Sequence, residues 1–273
     1  MLTFLFLGEI LHEMDFREFR TFLSACKEKE GVDYVVCNGS GILGGVASSA
    51  ADLERLFESG IDVITTGERL LARPSTRRLF EENPSLIRPL NFPGQAPGSG
   101  AILIKASRGP VWVATLGISS DRRPLEDPFE AFENWLQNNN EHLYPVLVNL
   151  HGHDLPYKKA LAWRFSSRVP VIHFFGTGIG ICANSISSYN GRIFISDIGT
   201  VEATGSIHGW KPDIWWKQHR ERIPCHFTPP DTALRGEGVK VAFDDEFRFV
   251  EASHILLSTK DLRTNKLPVS ESI

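Results

Sequence analysis

The sequence predicts an α/β protein with two packed β-sheets and helices outside. Two features of the order along the chain predict it. Over the first two thirds, apolar runs of strand length alternate with longer stretches whose apolar residues recur at i, i+3 and i+4. The opening order is strand, helix, strand, helix, strand, which calls for a parallel sheet with right-handed crossovers. A second set of strand-like runs then follows, enough for a second sheet.

Leu2–Leu7 is a continuous apolar run, as expected of a strand covered on both faces. Phe16, Phe19, Phe22, Leu23 and Cys26 then mark one face of a helix over Phe16–Glu28. Tyr34–Cys37 is a short strand that stops at Asn38-Gly39-Ser40-Gly41. A helix over Ser48–Glu58 follows, with Ser49 as its cap. Val63–Thr65 is the third strand, ended by Gly67. Ile102–Ala106 and Val111–Leu116 flank Ser107-Arg108-Gly109-Pro110 and predict a hairpin. Pro128–Gln137 is helical on Phe129, Phe132, Trp135 and Leu136. Val146–Leu150 is a buried strand followed by a helix over Tyr157–Phe165. Val169–Phe175, Ile193–Ile195, Val239–Phe243 and Phe247–Leu257 complete the strands. There is no internal repeat and no long linker, so residues 1–257 are expected to form a single domain. Residues 258–273 are expected to be a polar C-terminal tail that frays.

Composition excludes several classes of function. Of 273 residues, 42% are hydrophobic and 23% charged, with 29 Lys+Arg against 33 Asp+Glu and a net charge of -4, which does not suit disorder. The pI of about 6.1 argues against a nucleic-acid binder, whose phosphate contacts need clustered cations. The apolar opening breaks at Gly8-Glu9, far short of the ~20 residues a membrane span needs, and it has no basic flank of a secretory signal. The four cysteines, Cys26, Cys37, Cys182 and Cys225, are scattered without a C-x-x-C pair. Reduced thiols in the cytoplasm are therefore expected.

In open α/β sheets, chemistry collects beyond the carboxyl ends of the strands. Here those ends are Gly8-Glu9, Asn38-Gly39-Ser40-Gly41, Gly67-Glu68-Arg69, His151-Gly152-His153 and Gly176-Thr177-Gly178-Ile179-Gly180, expected to meet on one rim.

With three segments away from that rim, this layout resembles the YmdB-like family of calcineurin-like metallophosphoesterases. The segments are Arg88-Pro89-Leu90-Asn91-Phe92-Pro93 with Pro97-Gly98 and Gly100, Pro124-Leu125-Glu126-Asp127-Pro128-Phe129, and Ser196-Asp197-Ile198-Gly199 with Thr204-Gly205. The resemblance runs from about Leu2 to Leu257. It implies a four-layer αββα fold, with two mixed β-sheets packed face to face and helices outside. It also implies a site in which two divalent metals clamp a phosphodiester and activate a bridging water.

The ligand motifs of that site depart from the family pattern. The first carboxylate position holds Glu9, one methylene longer than aspartate. The positions of the bridging carboxylate and its neighbouring amide hold Ser40 and Gly41. Those of the next amide and histidine hold Glu68 and Arg69. The lone histidine is kept as His151. The two histidines of the last motif are replaced by Gly178 and Gly180. Glycine offers no donor, and loss of even a supporting partner costs about 10–100-fold in metal affinity. The expectation is a member of the family without its dimetal site, with no catalytic residue and no metal or other cofactor, acting through binding or assembly. Arg69 is expected to pair with Glu9 and Glu68 in the space of the metals.

The alternative is a cyclic-nucleotide type phosphodiesterase with a single Mn, Fe or Zn held by Glu9, Glu68 and His151. A third reading is a nucleotide or anion sensor without turnover that keeps a nucleotide-sized pocket, and the amides of the glycine-rich loop are separately a candidate anion site. His151 and His153 alternate along an extended segment and so face apart, which disfavours their sharing one metal. Ser40, His151 and Asp197 lack the context of a nucleophile triad. Trp210, Trp215 and Trp216, interleaved with basic residues, are interface candidates, and plain core packing is the competing reading. The resemblance implies a homo-oligomer. No membrane contact and no nucleic-acid partner are expected.

Overall fold

A computed structural model describes residues 1–11, 15–44, 50–67, 76–118, 125–181, 186–258 and 269–272. The chain starts with β1 (Leu2–Ile10), α1 (Phe16–Glu30), β2 (Tyr34–Asn38), the short α2 (Ser40–Gly44), α3 (Ala50–Glu58), β3 (Val63–Thr65), α4 (Thr76–Glu82) and β4 (Leu86–Ile87). Asp15 accepts the amide protons of Arg17 and Glu18 at the start of α1, and Gly31, at φ 62, ends it. β1 to β4 are parallel neighbours, as the alternating order requires.

The second sheet contains β5 (Ala101–Ala106), β6 (Gly109–Ile118), β7 (Val146–Gly152), β8 (Ile172–Thr177), β9 (Ile186–Tyr189) and β10 (Arg192–Ile195), in the order β5-β6-β7-β8-β10-β9. Its centre, β6-β7-β8-β10, is parallel and its two edges are antiparallel. α5 (Pro128–Asn139) and α6 (Leu155–Phe165) are the crossovers, capped by Asp127 and Asp154. The chain then returns to the first sheet as β11 (Thr200–Ala203), β12 (Leu234–Phe243), β13 (Phe249–Ser258) and β14 (Val269–Ser272). β12 runs antiparallel along Leu2–Leu7, while β11 lies parallel to the end of β1 at Glu9 and Ile10.

Burial separates the layers. Leu5 and Leu7 of β1 pack with Phe19, Leu23, Leu53 and Leu56 under the helices, whereas Phe4 and Phe6 belong to a second cluster between the sheets. There the Phe6 and Phe175 rings stack with centroids 3.6 Å apart. A third cluster joins Leu116, Val148 and Phe174 to Phe132, Leu161 and Phe165 of α5 and α6. Helices, sheet, sheet and helices therefore form four layers, as expected.

Several boundaries move. β1 continues past Leu7 because β11, which the sequence did not suggest, offers a partner to Glu9 and Ile10. The short α4, β4 and β9 also carried too little periodicity to be seen. β8 begins at Ile172 and not at Val169, which is exposed and precedes a cis peptide bond to Pro170. Within the segment expected to fray, Val269–Ser272 pairs with β13, whose edge offers unpaired amides and carbonyls. Ser49, the expected cap, lies outside the described residues, and α3 starts at Ala50. Cys26 and Cys37 are buried free thiols, Cys225 is half-buried and free, and Cys182 lies outside the described residues. No helix among the described residues is long and apolar enough to cross a membrane.

Candidate functional site

The ends of β1, β2, β3, β7 and β8 meet on one rim, and a buried hydrogen-bond relay crosses it from one sheet to the other. Asn149 on β7 donates its Nδ2 to Thr115 Oγ1 on β6 at 3.1 Å and accepts the Thr177 hydroxyl at 2.9 Å. Asn38 at the end of β2 donates its Nδ2 to Thr177 Oγ1 at 2.7 Å and to His151 Nδ1 at 2.9 Å. Its Oδ1 accepts the Ser40 amide at 2.8 Å, and Ser40 Oγ accepts the Gly67 amide at 2.7 Å. The Ser40 bond fixes the Asn38 amide orientation, so Nδ2 faces His151. The neutral His151 ring thus accepts at Nδ1 and carries its proton on Nε2.

His151 is pressed between the two sheets. A Cβ built on Gly67 would lie 2.1 Å from His151 Cδ2 and 2.2 Å from Nε2, while one on Gly178 would lie 3.1 Å from Cε1 and 3.2 Å from Nδ1. The ring therefore rests on one glycine from each sheet. His153, two residues on, is exposed. Gly41 approaches β1 as closely: its Cβ would meet Ile10 O at 2.5 Å and Leu11 Cα at 2.8 Å. Glu9 is half-buried, in register between Asn38 and Thr200, with its amide bonded to Gly199 O at 2.9 Å. Glu68 and Arg69 lie outside the described residues, and with them the expected pairing of Arg69 with the two glutamates.

The glycine-rich loop after β8 is held from below by a buried ion pair. Asp197 accepts the Ile179 amide at 2.9 Å and the Gly199 amide at 3.0 Å. Lys158 of α6, fully buried, donates to Thr177 O at 2.8 Å and lies 3.8 Å from Asp197 Oδ2. Burial brings the Lys158 pKa down to about 8, against the pull of Asp197. Burial likewise raises Asp197, against its amide donors and Lys158. The amide of Ile179 is thus occupied by a carboxylate of the same chain. Asp197 is turned to this loop and His151 Nδ1 to Asn38, so the two do not form the arm of a nucleophile triad.

Gly178 and Gly180 sit at φ 97 and 81, where L-residues with side chains are rare. Against Gly180 stands His208, whose Nδ1 would be 3.4 Å from a Cβ there. His208 occupies a two-residue turn closed by paired Ile207 and Trp210 backbone bonds and pinned where Glu202 accepts the Gly209 amide at 2.8 Å. Among the described residues no three His, Cys, Asp or Glu side chains are grouped so as to hold a metal ion. The described donor set, with a hydroxyl at 40 and no side-chain donor at 41, 178 and 180, does not fit a two-metal centre.

Sequence reasoning passed over Lys158, Asn149 and His208. Lys158 did leave a signal. It shares one helical face with Leu161, Ala162 and Phe165, where a lysine is out of place. The three tryptophans lie on an excursion between β11 and β12. It is closed at its base where Thr204 N meets Ala233 O at 2.8 Å. Within it α7 (Pro212–Glu221) contains no buried residue. Trp215 stacks on His219 at 3.7 Å, Trp210 meets Phe227 edge-on at 4.9 Å, and Trp216 is 62% exposed. None of the three joins the core.

A family profile described as YmdB-like protein matches residues 5–255. A 2',3'-cyclic-nucleotide 2'-phosphodiesterase of Bacillus subtilis is 24% identical over 255 residues, covering 93% of this chain and 96% of the relative. Two solved structures share the fold. One, a hypothetical protein of Thermus thermophilus, has a TM-score of 0.83 at 22% identity and covers 94% of this chain and 99% of its own. The other, described as a novel phosphatase of Mycoplasma pneumoniae, has a TM-score of 0.81 at 20% identity and covers 94% of both chains.

Proposed function

Because the chain belongs to the YmdB-like protein family, with its calcineurin-like phosphoesterase fold, we propose that it is a member without the two-metal reaction, acting through binding and assembly. The observation that carries this reading is the loop after β8. Two donor positions of the family motif are glycines with left-handed backbone, and the Ile179 amide between them is spent on Asp197. Ser40, at the position of the bridging carboxylate, supports it by closing a bond to Gly67. A cytoplasmic location suits the buried free thiols of Cys26 and Cys37.

Assembly in this proposal means a second copy of the chain meeting the arm that bears α7. A ten-residue helix is too short to be stable alone in water, and this one has no fully buried residue, only a half-buried face at Ile214, Trp215 and Gln218. Trp216, Ile223, Phe227 and Ile207 add exposed apolar surface beside it.

The competing reading takes its substrate class from the Bacillus subtilis relative: a cyclic-nucleotide phosphodiesterase with one metal on Glu9, Glu68 and His151. The retained His151 favours it. Metal analysis of the purified chain, together with hydrolysis of bis-p-nitrophenyl phosphate in added manganese, separates the two. The proposal expects substoichiometric Mn, Fe and Zn and hydrolysis at the buffer rate. Stoichiometric metal with turnover abolished by His151→Ala establishes the competitor.

A further inference from the structure

We infer that the rim is a closed clasp in which Gly41, Gly178 and Gly180 are demanded by the backbone, so that returning donor side chains to these positions breaks the clasp and rebuilds no metal centre. The inference rests on the reading above that the two-metal reaction is absent, and goes further by stating why point reversion cannot restore it.

Each of the three positions is closed in its own way. At Gly41 the obstacle is main chain: Ile10 O, Leu11 Cα and Ile10 C stand 2.5, 2.8 and 3.1 Å from a built Cβ. Such atoms cannot turn aside as a side chain would, because Ile10 is fixed in register with Val201 of β11 and the Leu11 amide is bonded to Val201 O. At Gly178 the obstacles are the Gly152 main chain and the one imidazole kept from the family motif. A Cβ there meets Gly152 N at 3.0 Å and His151 Cε1 at 3.1 Å. A side chain at 178 therefore crowds both the Gly152 main chain and His151 in its present seat, at a φ of 97 that already disfavours one. The seat itself is defended by the Asn38 bond on one side and by Gly67 on the other. At Gly180 space is ordinary, and the obstacle is conformation: φ is 81, with His208 standing over the position.

The relay from Thr115 through Asn149, Thr177 and Asn38 to Ser40 and Gly67 does in this chain what a shared pair of metals would do: it fastens the strand ends of one sheet to those of the other.

Thermal unfolding of the full chain tests this, with and without manganese chloride. The variants are Gly41→Asn, Gly178→His, Gly180→His and their combination, each with an alanine counterpart at the same site. Alanine brings the Cβ without a donor. Gly41→Ala and Gly178→Ala are expected to lower Tm by roughly 5 °C or more, or to prevent folding, and Gly180→Ala by about 2–5 °C. Manganese is expected to raise the Tm of no variant, including Gly180→His, where a Cβ meets only ordinary van der Waals contacts. Alanine variants at 41 and 178 with wild-type Tm overturn the clasp. So does a donor variant that manganese stabilises by several degrees. Manganese stabilising the wild type instead counts against the preceding reading, while the alanine series still decides the clasp.

Discussion

At Asn38 a single buried carboxamide ties the end of one sheet to two strands of the other. Asn38→Leu keeps the shape, leaves the Ser40 amide without its side-chain acceptor and removes the donor that Thr177 Oγ1 and His151 Nδ1 share. A loss of about 2–4 kcal/mol follows, or a Tm lower by roughly 5–15 °C. An unchanged melting temperature would show that the relay adds no net stability. His173 plays a similar part at the opposite end of the sandwich. Its Nε2 donates to Phe247 O at 2.8 Å and its Nδ1 accepts the Ile193 amide at 3.1 Å, so the neutral ring is required. Burial lowers its pKa from 6.5 to about 4. The unfolded chain therefore binds this proton more readily between those values. Stability from this group is complete above about pH 6.5 and is lost as pH falls toward 4, by about 3 kcal/mol in all. Urea unfolding across that range should show the slope in the wild type and a flatter one in His173→Gln, and equal slopes would refute the assignment.

At the scale of elements, the arm between β11 and β12 is the part of the fold least accounted for by the chain's own packing. α7 starts at Pro212 with no side-chain cap and buries none of its residues. If a second copy covers it, Trp216→Ser together with Ile223→Ser should convert an oligomer to a monomer in light scattering. The rest of the fold should be untouched, since neither side chain is in the core. A wild-type chain that is monomeric at all concentrations, or an oligomer indifferent to the pair, removes the assembly reading. The two crossover helices behave differently. α5 and α6 are capped by Asp127 and Asp154 and seated on Phe132, Leu161 and Phe165, which is why their periodicity was legible from the sequence.

Across the whole molecule, the main strands and helices were readable because each depends on near neighbours: a two-residue or 3.6-residue period, a cap, a glycine stop. The four layers follow from which faces are apolar. The strands most readily missed, such as β4 and β11, are short, and they exist because a longer strand offers them an edge. The rim was legible as a list of strand ends, and the substitutions within it were visible one position at a time.

By itself the sequence determined the α/β order, both faces of β1 as buried, and the residues that stand at each strand end. Only the tertiary structure decided what those residues do to one another. Asn38 meets His151 across 113 residues and Thr177 across 139, and no local period encodes such a pair. Nor does a glycine's letter say whether it is an empty donor position or a required close contact. That depends on the φ of the loop and on which atom of a neighbouring strand lies within a Cβ's reach. At Gly41 that atom is a backbone oxygen of Ile10, and at Gly178 it is the backbone nitrogen of Gly152 with the imidazole of His151 beside it.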